Sequence, residues 1–482
     1  MSSAPVAPPT SPTSPTSPAL PTLPASPTSP APDRPSLTGL AAPLLIELGL
    51  GVVVGILATA LAARVSDPAA AALALSNQLA AMLVVLLRVI GAGISVVVAQ
   101  CLGSGRRDQA DAVARACLGA SSWMGLACAA VALAGAWPAM GAMQAPADVA
   151  ALAAPLLQWL APALLLDAWN ASMASVMRAH LRAREVLAVI LVMHLSHLLG
   201  AVLLMPVLGL PGFALAMGLS RLIGLVLHVW LWRARLQLRP QPSDWWRLPR
   251  AELAAVLHIG LPGAAENIAW RMGFTATVAV AGSLGAQALA TQAYVQQLAS
   301  FAVLFTMACG LAMEILIGHL VGAGDFRRAD RKVRQTLLMS ISLALCINVA
   351  IALAGTRLLG LFTQDATIIR QGQQLLWLTV VLEIGRCFNV VLVNALRAAG
   401  DARFPVVAGV ASMALVLGAG SGLLAHTAGL GLAGIWIAYA ADEWLRGLIM
   451  WWRWRRLAWL PHARGVVRRM RQGRSEGRAA QD

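Results

Sequence analysis

The segment LGSGRRDQAD at residues 102–111 returns 219 positions later as VGAGDFRRAD at residues 321–330. Polar and helix-breaking residues on both sides of it follow the same offset: Pro43 and Glu47 match Pro262 and Glu266, Gln78 matches Gln297, Asn170 matches Asn389, and Arg178 matches Arg397. The offset later becomes 222, so that Gly212 matches Gly434. The chain is therefore a doubled unit, and each half is expected to fold in the same way.

The composition places this doubled unit in a membrane. Hydrophobic residues make up 59% of the 482 residues and charged residues only 12%, which is more apolar surface than a soluble domain can bury. A membrane helix needs about 20 apolar residues. Twelve segments meet this length, near residues 40–63, 70–101, 113–136, 150–176, 186–206, 210–232, 254–282, 288–320, 334–361, 372–396, 404–425 and 430–452.

The repeat also predicts how the helices are arranged. Each half has six crossings, an even number, so both halves enter the membrane from the same side and an axis along the membrane normal relates them. We expect an all-α polytopic membrane protein of two six-helix lobes, with a Pro/Ser/Thr-rich disordered segment at 1–36, an N-lobe at 37–232, a linker at 233–253, a C-lobe at 254–453 and a basic tail at 454–482. This organisation is typical of transporters with a path between two related halves.

The arginines indicate the orientation. The net charge is +15, but the basic residues concentrate in alternate loops and in the tail, whereas the intervening loops hold only Arg64, Arg357 and Arg370. The positive-inside rule then places both termini in the cytoplasm of a multi-pass plasma membrane protein. We expect anionic lipid, and not nucleic acid, to be the partner of the basic tail.

Glu47 and Glu266 are repeat-related acids in the first helix of each half. An ionisable side chain at membrane depth costs about 2.5–3.5 kcal/mol on insertion scales, so each one needs a reason. They are candidates for protonatable or cation-binding groups that face the cleft between the lobes. The alternative is a carboxylate near a helix end that is hydrogen-bonded to a neighbouring helix.

A second cluster of candidates lies in the tenth helix. Glu383, Arg386 and Asn389 are spaced three residues apart, so the first two can form an intrahelical ion pair. The cluster is either such a structural pair or part of a coupling or substrate site. In the N-terminal half, Asp167 and Asn170 share the asparagine position but place the acid differently.

Three further polar residues are candidates for the cleft. Arg88 stands within the second helix and needs a carboxylate from another helix, which Glu47 or Asp167 could supply. Gln78 and Gln297 are repeat-related amides. They can hydrogen-bond a substrate, although contacts between helices are the commoner use of such residues.

The glycines of the opening segments do not form a phosphate-binding loop, because the G-K-[ST] ending is missing and the segments follow helices instead of strands. They predict helix ends with a left-handed glycine, followed by a basic turn. The sequence has no H-E-x-x-H, G-x-S-x-G or paired Cys/His motif. We therefore expect no enzymatic activity, no metal site and no cofactor.

The doubled plan resembles the multidrug and toxic compound extrusion (MATE) family. The resemblance rests on VAQCLGSGRRDQADAVAR, IGHLVGAGDFRRADRKVRQ, GLPGAAEN and NALRAAGDARFPV in this order, and it covers about residues 38–455. It implies cation-coupled antiport that exports amphipathic or cationic organic compounds from a cleft between the lobes. Many members carry an aspartate within the first helix, and that position is Ala58 here. By similarity, coupling would then rest on Glu266, Glu383 or Glu47.

A proton suits a lone carboxylate better than Na⁺, which needs several oxygen ligands, so H⁺ is the expected coupling ion. Three alternatives remain open at this point. One is a lipid-linked oligosaccharide flippase of the same superfamily, one is a non-transporting membrane scaffold, and one is a membrane-embedded enzyme acting on lipid. We expect the protein to act as a monomer on small organic substrates.

Overall fold

The computed structural model describes residues 36–479, with the side chains of Arg88, Val89 and residues 471–479 left outside this description. The disorder expected for residues 1–36 thus lies outside the described residues except at Ser36. The Ser36 hydroxyl accepts a hydrogen bond of 3.1 Å from the backbone N–H of Gly39 and caps the first helix. Such capping satisfies one of the free N–H groups of a helix start.

The helices of the N-terminal half are α1 (Leu37–Ala63), α2 (Asp67–Gly103), α3 (Arg107–Ala142), α4 (Ala147–Trp159), α5 (Ala161–Ala179), α6 (Ala183–Leu208) and α7 (Leu210–Leu231). A π-helical turn (Trp232–Leu236) and a 3₁₀ turn (Pro242–Trp245) lead to the second half.

The helices of the C-terminal half are α8 (Arg250–Ser283), α9 (Ala286–Gly322), α10 (Phe326–Leu353), α11 (Gly355–Leu359), α12 (Ala366–Ala398), α13 (Arg403–Ser412), α14 (Gly420–Gly422) and α15 (Gly431–Arg455). π-helical turns at Met413–Ala419 and Leu423–Thr427 flank α14 and make one continuous helical crossing with α13. A last helix, α16 (Leu460–Ala479), follows.

Twelve crossings are confirmed. Within the described range, nine helices are long and apolar enough to span a membrane, and the bent pair α4 and α5 makes a tenth. The remaining two are α8 and α15, of 34 and 25 residues. Their middles hold polar residues that lower their hydropathy, namely Glu266, Asn267, Arg271, Asp442, Glu443 and Arg446.

The two lobes meet about a pseudo-twofold axis that is visible at single residues. A side chain at Gly103 in α2 would collide with the backbone carbonyl of His319 in α9, and one at Gly322 in α9 would collide with the carbonyl of Gln100 in α2. These contacts exchange under the repeat, because 219 positions separate Gly103 from Gly322 and Gln100 from His319. Glycine at both positions lets the two helix ends pack backbone to backbone.

The helix ends predicted from the opening segments are confirmed beside this crossing. Gly105 follows α2 with φ of +74° and Gly324 follows α9 with φ of +75°, the left-handed conformation that glycine adopts without strain. The two lobes therefore close against each other at the end of the molecule that carries the basic turns after α2 and α9.

We expect Gly322→Ala to destabilise the protein by about 1–3 kcal/mol, because its methyl group must push the α2 backbone away. Gly282→Ala is the matched control: Gly282 is also a helical glycine, but nothing lies within 4 Å of its missing Cβ. Thermal unfolding in detergent micelles measures both variants. Equal melting temperatures for the two would contradict close packing at the crossing.

The segment predicted as the fourth helix is broken. α4 and α5 meet at Leu160 with a bend of 45°, since Pro162 lacks the N–H that would continue the hydrogen-bond ladder. The segment predicted at 334–361 also divides, into α10 and the short α11. The apolar pattern alone does not mark such breaks.

The basic tail contains a helix that the sequence pattern did not predict. Trp459, which immediately precedes α16, stacks on Trp454 of α15 with 4.4 Å between ring centroids. Near the middle of α16, the backbone carbonyl of Met470 accepts a hydrogen bond of 2.5 Å from Arg106, which follows α2. The helix therefore contacts both lobes beside the α2–α9 crossing.

Candidate functional site: buried charges and a central cavity

In each lobe, the first helix forms an ion pair with a later helix, and the two pairs are at equivalent positions of the repeat. Arg178 of α5 binds Glu47 of α1 at 2.6 Å, and Arg397 of α12 binds Glu266 of α8 at 2.8 Å. Both partners shift by 219 positions between the lobes. The carboxylates are thus hydrogen-bonded to a neighbouring helix, and neither lines the central cavity.

A second group of charges is buried inside the C-lobe between α12 and α15. Arg386 contacts Glu383 one turn before it and Glu443 of α15, the latter at 3.2 Å. Glu443 also lies 3.0 Å from Arg446, which binds Asp442 at 2.7 Å. All these side chains are at most 6% exposed. The predicted pair of Glu383 with Arg386 is present, but it is one link of a longer chain.

The N-lobe holds the counterpart of this chain with its charges reversed. Asp167 of α5 corresponds to Arg386 of α12, and Arg221 of α7 corresponds to Glu443 of α15 by the later offset of 222. Asp167 and Arg221 also form an ion pair, at 2.6 Å. The repeat has kept the pair at this position and exchanged the signs of its members.

The repeated asparagines brace both pairs. Asn170 donates a hydrogen bond of 2.9 Å to the backbone carbonyl of Arg221, and its side-chain oxygen lies 2.9 Å from Nδ1 of His228. Asn389 donates a hydrogen bond of 2.9 Å to the Glu443 carboxylate. The two asparagines therefore help to position the repeat-equivalent residues Arg221 of α7 and Glu443 of α15.

The lobes differ in their balance of charge. Glu314 of α9 is 1% exposed, makes no ion pair with any residue the structure describes, and interacts electrostatically with Arg397 and Glu266. The N-lobe has Ser95 at the Glu314 position, and Leu164 and Ser220 at the positions of Glu383 and Asp442. Among these membrane-depth charges of the C-lobe, acids still outnumber arginines by one: Glu266, Glu314, Glu383, Asp442 and Glu443 against Arg271, Arg386, Arg397 and Arg446.

A cavity of about 490 Å³ lies where the N-lobe meets α8. Its volume is within the range of small-molecule sites, about 300–1,000 Å³. Most of its wall is apolar, contributed by α1, α2, α5 and α7. The polar side chains in the wall are Asn77, Asp167, Arg221, Asn267 and Arg271.

The remaining candidates lie elsewhere. Gln78 lines a second pocket of about 440 Å³ between α2 and α4, and the side chain of Gln297 is exposed. The expectation for Arg88 concerns a side chain outside the described part of the structure. The two acids proposed as its partners, Glu47 and Asp167, are bound to Arg178 and Arg221.

Six charged residues of the site were not selected as candidates from the sequence: Arg221, Arg271, Glu314, Asp442, Glu443 and Arg446. The repeat could have indicated Glu443. It is the repeat equivalent of Arg221 at the offset of 222, as Arg386 is the equivalent of Asp167 at the offset of 219. Within the described residues, no three His, Cys, Asp or Glu side chains are grouped as a metal site requires. Ala58, at the family's first-helix acid position, is buried and apolar.

Comparison with known proteins agrees with this architecture. The MatE family model matches residues 43–203 and 262–419. The "Uncharacterized transporter YisQ" of Bacillus subtilis (strain 168) is 32% identical over 436 residues, which cover 88% of this chain and 95% of the relative. The "Multidrug resistance protein NorM" of Burkholderia vietnamiensis is 28% identical over 255 residues, or 52% of this chain and 55% of the relative.

Among solved structures, one described as "Crystal structure of MATE in the bent conformation" superposes with a TM-score of 0.80 at 17% identity, covering 89% of this chain and 96% of the other. At that identity the likeness shows the shared fold. The two matched segments of the family model correspond to the two lobes, and the match to the Bacillus transporter runs nearly end to end. The chain therefore belongs to the MatE family, the multidrug and toxic compound extrusion transporters.

Proposed function

We propose that this protein is a secondary active exporter that exchanges protons for amphipathic organic compounds by alternating access between its two lobes. The observation that carries the proposal is the surplus of carboxylates in the C-lobe. Glu314 makes no ion pair within the described structure, so a proton bound there breaks none. The N-lobe pairs are balanced, and its first-helix acid position is Ala58.

The acids of the C-lobe lie close to one another. Gly409 of α13 lies between Glu266 and Arg446, since a Cβ there would be 3.8 Å from Glu266 Cγ and 3.9 Å from Arg446 Cδ. The Glu266 pair and the α12–α15 chain are therefore neighbours. A proton added to this group of acids changes its net charge. The change in charge alters the relative stability of the inward-facing and outward-facing states, and such an effect is what couples proton binding to a conformational change.

The proton is favoured over Na⁺ by the way the carboxylates are used. Glu266 binds Arg397, Glu383 binds Arg386, and Glu443 binds two arginines and Asn389. Oxygen atoms held by guanidinium groups are poor ligands for a second cation, and Na⁺ needs several oxygens together. A proton needs only one.

Orientation and lipid contact complete the proposal. The basic turns after α2 and α9 and the exposed Arg464, Arg468 and Arg469 of α16 lie at one end of the molecule, which we assign to the cytoplasmic side by the positive-inside rule. α16 would then lie against anionic headgroups. Because one chain encloses the whole cavity, a monomer suffices for transport.

The experiment that tests the proposal is efflux from proteoliposomes under a proton gradient or a Na⁺ gradient imposed separately. Ethidium, a cation, and rhodamine 110, a zwitterion, serve as amphipathic dyes. We expect transport with the proton gradient only, and its loss in Glu266→Gln. Transport driven equally by Na⁺ would refute proton coupling. No transport of either dye by folded protein would favour the flippase or the scaffold.

A further inference from the structure

The charged residues that line the central cavity are unequal in sign. Asp167 is the acid of the described wall, while Arg221 and Arg271 are both basic. Arg221 comes from α7 of the N-lobe and Arg271 from α8 of the C-lobe. The two guanidinium groups therefore reach one cavity from opposite sides of the lobe boundary.

The charge of Asp167 is already neutralised. It binds Arg221 at 2.6 Å, and this pair is more exposed than its C-lobe counterpart, with 28% and 13% of the side chains accessible against 6% for Arg386 and 3% for Glu443. The N-lobe pair thus opens onto the cavity while the C-lobe pair is sealed in protein. A cationic cargo would have to compete with Arg221 for the carboxylate.

The described part of the structure shows no such partner for Arg271. Within the described residues, no acidic side chain lies within 4 Å of it. The repeat-equivalent position is Val52, so the charge is not part of the pairing scheme that both lobes share. An arginine at membrane depth without a counter-ion is costly, and such residues usually mark the path of a substrate or ion.

We infer that the cargo carries an acidic group, such as a carboxylate, which Arg271 binds together with the cavity-facing side of Arg221. The planar guanidinium group donates two parallel hydrogen bonds to a carboxylate. The apolar wall formed by Ala80, Val84, Leu160 and Met217 contacts the rest of the molecule. This inference rests on the proposed transport function and assigns its substrate class: amphipathic organic acids and zwitterions.

A matched pair of dyes tests the inference. Rhodamine 110 carries a free carboxylate, and rhodamine 123 is its methyl ester, so the ring system is shared and only the acidic group differs. Binding is measured by fluorescence anisotropy with the full chain in phosphatidylcholine nanodiscs. We expect the wild type to bind rhodamine 110 at least about tenfold more tightly, as a hydrogen bond to a charged group allows.

The variants assign this preference to a residue. Arg271→Gln is expected to reduce the ratio of the two affinities to about one, since the acidic group loses its charged partner. Arg271→Lys keeps the charge and is expected to keep most of the preference. Arg370→Gln removes an exposed arginine away from the cavity and should leave the ratio unchanged. A wild type that binds the ester as well as the acid, or an unchanged ratio in Arg271→Gln, would overturn the inference.

Binding and transport are read separately, so the two proposals fail separately. Preferential binding of rhodamine 110 without proton-driven flux would retain the ligand assignment and count against the antiporter. Proton-driven flux with equal binding of both dyes would support the antiporter and overturn the ligand assignment. Repeating the measurement with phosphatidylglycerol added distinguishes a lipid phosphate from a small organic acid. Complete loss of the preference there would assign the site to lipid and overturn the small-molecule class.

Discussion

Replacing Glu443 with glutamine is expected to lower the free energy of unfolding by about 3–5 kcal/mol, the cost of breaking a buried ion pair from one side. Glu443 lies between Arg386 and Arg446, at 3.2 Å and 3.0 Å, and accepts a hydrogen bond from Asn389. Glutamine preserves the shape but not the charge. Two guanidinium groups would then share the remaining acids, Glu383 and Asp442.

The N-lobe offers the control for this substitution. Arg221→Gln breaks the repeat-equivalent pair, but Asp167 is 28% exposed at the cavity, so water can solvate the carboxylate left behind. We expect a clearly smaller loss for Arg221→Gln. Thermal unfolding in detergent, followed by size-exclusion chromatography of the heated samples, measures both. Equal losses of stability in the two variants would show that breaking the buried C-lobe ion-pair group costs no more than breaking the more exposed N-lobe pair.

The second large effect is a difference between two substitutions that the repeat makes equivalent. Glu266→Gln is expected to reduce proton-driven efflux by about 5- to 150-fold, the usual range of a coupling free energy, while Glu47→Gln keeps most of it. Each change removes a carboxylate bound to an arginine, Arg397 of the tenth crossing at 2.8 Å or Arg178 of the fourth crossing at 2.6 Å. The loss of stability should therefore be similar in the two variants.

The difference in transport is expected because the C-lobe pair has a further acid beside it, where the N-lobe has a serine. Glu314 interacts with Glu266 and Arg397, whereas its N-lobe equivalent is Ser95. Efflux is measured in proteoliposomes with the same amount of folded protein, using whichever dye the wild type transports. Equal losses of efflux in the two variants would locate the coupling outside the C-lobe surplus.

Much of this architecture was predictable from the sequence because helix spacing and the repeat are properties of the chain itself. Apolar segments of membrane length predict the crossings, and the offset of 219 predicts two lobes about a common axis. Glu383 and Arg386 could be paired because residues three apart share a helix face. The break at Leu160 and the helix within the tail were missed, since hydropathy does not report how a helix is interrupted or what a polar helix packs against.

The partners of the buried charges depended on the tertiary structure. Arg178 is 131 positions from Glu47, and Arg386 is 57 from Glu443, distances along the chain at which only the packing of helices decides which side chains meet. The sequence by itself determined two related lobes, the positions of the charged residues and the missing first-helix acid. The tertiary structure decided which charges are neutralised, because an ion pair needs contact within a few ångströms. It left Arg271 facing the cavity with no counter-ion among the residues that the structure describes.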